Sequence, residues 1–239
     1  MMPLVQHIRN TTKQARVFTR LQVGNLTPMV VSRKDLLIQP ETELVIEGFP
    51  RSANTFGVLL VEQHLEQNLH IAHHLHLAYQ LEQGVQRGLP SVLLLRNPQD
   101  SIPSLLLRNA YLSPWLAFHW FRKFHEPLVA IKDQLLVWEF ESLTQHPARC
   151  LQQLASDFPD LLLGEEESVQ ADQVFQQIDQ LDRETKQQAG EELDLVRSRP
   201  NLRKAAAKAA IQTQLQNHPR YRALMEEALQ MYQQLRPQP

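Results

Sequence analysis

One cysteine, Cys150, stands in 239 residues, so no intramolecular disulfide can form. Ten histidines without a second thiolate leave a finger-type zinc site without its ligand set. A reducing, cytoplasmic setting is the expectation. Charge of one sign is not in excess either: 24 Lys and Arg meet 26 Asp and Glu, for a net charge of -2. Such a chain offers no overall field to nucleic acid or to an anionic membrane, so an anionic partner must meet a local group of arginines. A small charged ligand suits that arrangement better than a polymer. No apolar run approaches the roughly 18 residues of a membrane-crossing helix. The opening MMPLVQHIRNTTKQAR is too polar for the apolar stretch of a signal peptide. Internal repeats, a carboxylate cluster suited to Mg²⁺ and any pattern that sets an oligomeric state are absent, and the glutamines are scattered. With 43% hydrophobic and 21% charged residues the chain is neither disordered nor collagen-like. Its length suits one globular domain spanning 1–239.

What is present alternates in period. Residues 44–48, LVIEG, form a short apolar run ended by Gly48 and Pro50, the pattern of a buried strand. A helix is predicted over 52–67 with Ser52 as its cap. LHIAHH at 69–74 reads as a second strand, followed by a helical LAYQLEQGVQRG that ends at Gly88 and Pro90. SVLLLR at 91–96 reads as a strand buried on both faces, and Pro98 opens the next helix. QLLVWEF at 134–140 is the fourth strand. The stretch behind it places Leu143, Cys150, Leu151 and Leu154 at helical spacing. The prediction is an α/β fold with a mainly parallel central sheet flanked by helices, its core at 44–160. The remainder, 165–239, reads as a helical extension packing on that core. One of its helices starts at Asn201 behind Pro200; another, at 221–235, carries a stripe of Leu224, Met225, Ala228, Leu229, Tyr232 and Leu235.

The segment Glu47 to Phe56, EGFPRSANTF, lies at a strand-to-helix turn, where backbone N–H groups and a helix dipole favour anions. Arg51 adds a delocalised charge, and Ser52, Asn54 and Thr55 add polar donors. The loop is shorter than a nucleoside-triphosphate loop and lacks the second glycine and the lysine of GxxxxGK. ATP hydrolysis is therefore disfavoured.

PRSANTF, that is Pro50, Arg51, Ser52, Ala53, Asn54, Thr55 and Phe56, resembles the phosphosulfate loop of the sulfotransferases, which runs Pro, Lys or Arg, Ser, Gly, Thr, Thr after the first strand. RNPQDSIPS is similar to the family's second element and supplies Arg96, Asp100 and, eight residues after the arginine, Ser104. WEFESLTQHPARCL resembles a third, Tyr-Glu-Asp-Leu followed by Pro and a helix. The likeness covers roughly residues 44–155 and implies a P-loop-like sulfotransferase fold. The implied donor is 3′-phosphoadenosine 5′-phosphosulfate, used without a required metal on a small-molecule or lipid-like acceptor. By the same resemblance Arg96 and Ser104 hold the 3′-phosphate and Phe56 stacks on adenine. The family's C-terminal Arg-Lys-Gly and Gly-Asp-Trp are missing. RSRPNLRK at 197–204, with Arg197, Arg199, Arg203 and Lys204, is the comparable basic cluster, or else a solvated face. Ala53 and Asn54 stand where the family has glycine and threonine.

Sulfuryl transfer accumulates negative charge on the bridging oxygen of the leaving phosphate, a demand that Arg51 and Thr55 are placed to meet. The acceptor must lose a proton, and a histidine is the usual base. HIAHHLHLA contains four. If 69–76 is extended, His74 and His76 share one face and His73 points to the other. The resemblance favours His76 as the base, with His74 next. Three alternatives stand beside this. Two histidines on a strand can bind a metal ion together; the histidines can be polar residues at a strand end; and Trp115, Phe118, Trp120 and Phe121 read as packing in preference to an acceptor pocket. For the whole chain the alternatives are a nucleotide-binding regulator without turnover or a nucleotide kinase.

Overall fold

The computed structural model describes residues 4–23, 34–64, 69–161, 171–187 and 202–237. Four strands, β1 (Leu44–Gly48), β2 (Ile71–His73), β3 (Ser91–Leu95) and β4 (Leu136–Glu139), form one sheet in the order β2-β1-β3-β4. Every pairing is parallel: Val45 stands opposite Ala72, Ile46 opposite Val92, and Leu94 opposite Trp138. The helices are α1 (Leu4–Val23), α2 (Asn54–Glu62), α3 (Ala78–Gln86), α4 (Pro98–Arg108), α5 (Pro114–His125), α6 (Phe140–Gln145), α7 (Pro147–Asp157), α8 (Ala171–Gln187), α9 (Leu202–Asn217) and α10 (Pro219–Leu235). The protein is thus α/β, a parallel sheet flanked by helices.

The apolar runs become strands because both faces of the sheet are covered, and the pleat sends alternate residues to opposite layers. Val45, Leu93 and Leu95 point into a core with Leu81 of α3, Ile102 of α4, Phe121 of α5 and Leu235 of α10. Leu44, Ile46, Val92, Leu94 and Trp138 point into the other, with Leu60 of α2, Leu154 of α7 and Val174 of α8. The helical extension is part of this packing. α9 lies on α4, and α10 lies on α5. Tyr232 of α10 donates its hydroxyl hydrogen to Glu139 at the end of β4 at 3.1 Å, and Arg236 pairs with the same carboxylate. Among the described residues no helix is long and apolar enough to cross a membrane.

Four local expectations need correction. The helix predicted over 52–67 is described as Asn54–Glu62, and its N-cap is Ala53 at φ 65°, with no side-chain cap. Ser52 is buried, with no hydrogen-bond partner for its Oγ. The left-handed backbone at Arg51 (φ 75°) and Ala53 holds residues 51–53 out of the helix. β2 covers only Ile71–His73, because His74 and His76 take φ values of 58° and 54°; the alternation of faces assumed for 69–76 does not apply. β4 is shorter than 134–140, since residues Pro127–Gln134 form a 3₁₀ helix. The helix behind β4 is two helices broken at His146, whose backbone (φ −133°, ψ 53°) is of the non-helical kind that a following proline imposes. Leu143, Cys150, Leu151 and Leu154 nevertheless all reach the core.

The strand order positions the site. From β1 the chain moves to β2 on one side, then crosses to β3 on the other and on to β4, so the connections leaving the carboxyl ends of the paired strands β1 and β3 head in opposite directions. Open parallel sheets bind ligands in the crevice at such a switch point. Residues 49–53 leave β1 there, and Arg96 leaves β3 beside them.

Candidate functional site

The loop after β1 is anchored from beneath. Phe49 has no exposed surface and sits 6.0 Å from the Trp120 ring, 5.1 Å from Phe121 and 5.9 Å from His125, centroid to centroid. Asn54 donates from Nδ2 to the Phe49 carbonyl at 3.1 Å, which closes the turn. α2 begins at Asn54 without a side-chain cap, so its first N–H groups lack intrahelical partners, and Asn54, Thr55 and Phe56 line the cleft in front.

Arg96 ties β3 to this loop. Its Nη1 donates to the Arg51 carbonyl at 2.7 Å, and its guanidinium lies 3.8 Å from the centroid of the Phe140 ring. Burial lowers its pKa below the ordinary arginine value, while Asp100 and Glu141 act in the opposite sense. Arg96 Nε is buried and has no hydrogen-bond partner. Arg51 donates from Nε to Ser104 Oγ at 3.1 Å. Arg51, Arg96 and Ser104 therefore form one linked unit across the crevice.

The histidines form the opposite wall. His76 Nδ1 lies 2.7 Å from the Gly48 carbonyl, which can only accept, so Nδ1 carries the hydrogen and Nε2 is the basic nitrogen of the neutral ring. His74 Nε2 shares a hydrogen bond with Thr55 Oγ1 at 3.1 Å and pairs with His73 through Nδ1. Trp120 donates from Nε1 to the His76 carbonyl at 3.4 Å. For the paired-histidine metal alternative, no group of three potential ligands occurs among the described residues.

These groups surround one cleft of about 680 Å³, a size that suits a nucleotide-sized ligand. Pro50, Arg51, Ala53, Asn54, Thr55, Phe56, His74, His76, Arg96 and Ser104 all line it; Ser52 lies buried behind them. The cleft runs from one core layer to the other. At one end Phe56 meets Phe175 of α8, with ring centroids 4.9 Å apart, next to Phe140 and Ile178. At the other end stand Tyr111, Trp120 and Arg108.

The C-terminal cations enter differently from the expectation. Arg197 and Arg199 lie outside the described residues, as does the side chain of Arg203. Lys204 and Lys208, one turn apart on α9, line the cleft, and Lys208 is paired with Asp100 in the first turn of α4. Sequence reasoning passed over Lys208, Phe140 and Phe175; the only signal for Lys208 is its four-residue spacing from Lys204 on a helix. Trp120, read as packing in preference to an acceptor pocket, is buried against Phe49 and borders the cleft as well. Trp115 stacks on His119 at 5.1 Å, outside the cleft. Glu47 was not singled out either.

No family model, curated protein or solved structure matches the chain.

Proposed function

We propose that the protein is a sulfotransferase that moves a sulfuryl group from 3′-phosphoadenosine 5′-phosphosulfate to a hydroxyl or amine of a small-molecule or lipid-like acceptor. The observation that carries this reading is the meeting of two sequence-distant elements, the loop 50–55 and the Arg96 to Ser104 unit, in one cleft that a histidine of defined tautomer also lines. In the reaction the acceptor oxygen or nitrogen attacks sulfur as the bond from sulfur to the bridging oxygen breaks. The acceptor's proton passes to Nε2 of His76, and 3′-phosphoadenosine 5′-phosphate leaves. His74, held on Thr55, is the second candidate for the base.

Charge growing on the bridging oxygen falls to Arg51, Thr55 and the first N–H groups of α2. Arg96, Ser104, Lys204 and Lys208 supply a cationic and hydroxyl-bearing surface for the 3′-phosphate. Phe175 offers an aromatic face to the adenine, with Phe56, only 2% exposed, packed against it. Acceptor binding then belongs to the end with Tyr111, Trp120 and Arg108. A cytoplasmic location accords with the single, buried cysteine.

The test is a thermal-shift titration with 3′-phosphoadenosine 5′-phosphate, ATP plus Mg²⁺, and adenosine 5′-phosphosulfate on wild type, Arg51→Ala and Arg96→Ala. The 3′-phosphorylated nucleotide is expected to stabilise the wild type selectively, with the effect lost in Arg96→Ala. Preferential stabilisation by ATP replaces the reading with a kinase. Selective donor binding with no sulfated product across an acceptor screen replaces it with a nucleotide-binding regulator.

A further inference from the structure

We propose that Glu47, inside β1, is the positioning residue that builds the turn carrying His74 and His76 and sets the ring of His76; its catalytic meaning rests on the reading of His76 as the base.

Glu47 is the one acidic residue in an otherwise apolar run, and its residue has no exposed surface. A carboxylate in that place is unfavourable unless donors surround it. Three do. Leu75 donates its backbone N–H to Oε1 at 2.7 Å, His76 donates its own to Oε2 at 2.9 Å, and Gln80 donates from Nε2 to Oε1 at 3.2 Å. The orientation of Gln80 is set independently, because its Oε1 accepts from the Ile38 N–H at 2.7 Å and its Nε2 also donates to the Leu36 carbonyl at 2.9 Å. Leu75, His76 and Gln80 each approach the carboxylate as donors, which an ionised carboxylate satisfies and a carboxamide cannot.

The two backbone donors are consecutive and are flanked by left-handed residues, His74 at φ 58° and His76 at φ 54°. Successive N–H groups in such alternating backbone make a small anion-binding concavity. Here the bound anion is Glu47 itself. That anion offsets the unfavourable backbone of two non-glycine residues, the kind of strain that persists where surroundings over-determine it. The next residue of the same strand completes the grip: the Gly48 carbonyl accepts from His76 Nδ1, while Glu47 Oε2 lies 3.9 Å from that nitrogen. Backbone and ring of His76 are thus both held from β1. The nearby carboxylate also favours the imidazolium formed when Nε2 takes a proton, as an aspartate does beside the histidine of a hydrolase triad.

Nitrogen-15 NMR of the histidine rings tests the assignment without reference to any substrate. In the wild type the neutral His76 ring is expected as the Nδ1–H tautomer. In Glu47→Gln it is expected to relax toward the mixture seen for imidazole in water, which favours Nε2–H. Release of 3′-phosphoadenosine 5′-phosphate from the sulfated donor should fall about 100-fold in the variant. Stabilisation of the variant by 3′-phosphoadenosine 5′-phosphate should stay close to that of the wild type. An Nε2–H ring in the wild type overturns the proposal even if Glu47→Gln fails to fold, and so does an unchanged ring and turnover in a folded variant. A wild type that 3′-phosphoadenosine 5′-phosphate does not stabilise refutes the donor reading alone, with the tautomer comparison still deciding the role of Glu47.

Discussion

Arg96 joins two tasks in one side chain, bracing the Arg51 carbonyl and presenting charge to the cleft. Charge-assisted hydrogen bonds are worth about 1.5–3 kcal/mol, so Arg96→Ala is expected to weaken 3′-phosphoadenosine 5′-phosphate binding by about 10- to 100-fold by titration calorimetry, while the apparent affinity for an acceptor changes far less. Equal losses for both would sink the assignment. Ala53 shows why a glycine suits its position. At φ 65° an alanine bears a left-handed penalty of about 1–2 kcal/mol, partly offset by the smaller unfolded-state entropy of alanine relative to glycine. Ala53→Gly should therefore stabilise the protein by about 0.5–1 kcal/mol, seen as a rise in Tm of roughly 1–3 °C in calorimetry. A fall in Tm would mean that the Ala53 methyl group contributes more by packing than its backbone costs.

Among the elements, α5 carries the clearest pH signature. His125 at its end is fully buried among Phe49, Phe121 and Phe124, with the Phe121 ring centroid 3.9 Å away. Its Nδ1 donates to the Phe121 carbonyl at 2.9 Å, and its buried Nε2 has no partner. Burial pushes its pKa down to about 4, and the bond to Phe121 acts weakly in the opposite direction. The unfolded chain takes up this proton near pH 6.5, the folded chain only near 4, so the unfolded state binds more protons between those values. Stability present above pH 6.5 is lost as pH falls through that window, by an amount on the order of 3 kcal/mol. His125→Leu removes the titration and should flatten the dependence of unfolding free energy on pH between about 6.5 and 4 in urea melts. An unaltered slope would show that the carboxylates alone govern acid unfolding. The same helix supplies Trp120 and supports Phe49, so acid destabilisation is expected to reach the anion-facing loop.

Across the whole molecule the cleft exists because two core layers meet at the carboxyl edge of the sheet, with β1 and β3 close enough to share the loop. Gly48 sets that closeness. A Cβ there would lie 2.7 Å from the Leu94 carbonyl oxygen and 2.8 Å from Leu94 Cβ, and the backbone of a central strand cannot yield cheaply. Gly48→Ala is expected to cost about 1–3 kcal/mol of stability in denaturant unfolding, and to weaken nucleotide binding because Arg51 and Arg96, bonded to each other, follow the two strands it would push apart. A variant with unchanged midpoint and affinity would contradict this account of the strand spacing. Lys208 works on the same scale: it meets Asp100 across 108 residues of chain, bringing α9 to the first turn of α4.

Four apolar runs determined the four strands, and Pro98, Pro114 and Pro147 each open a helix as their missing N–H and preset φ favour. The order of elements and the position of the anion-facing turn were therefore legible in the sequence, since they depend on local period and local breakers. The loop conformations were not, because four non-glycine residues, Arg51, Ala53, His74 and His76, take left-handed backbone that intrinsic preference disfavours and only surrounding contacts stabilise. Glu47, one residue of an apolar run, acquires its donors only because the turn beyond β2 folds onto it from 28 residues away. Which lysines face the cleft, and which aromatic rings bound it, depended likewise on helices distant in the chain. Local chemistry specified the elements; long-range contacts, each needing a partner that no nearby residue announces, decided the site.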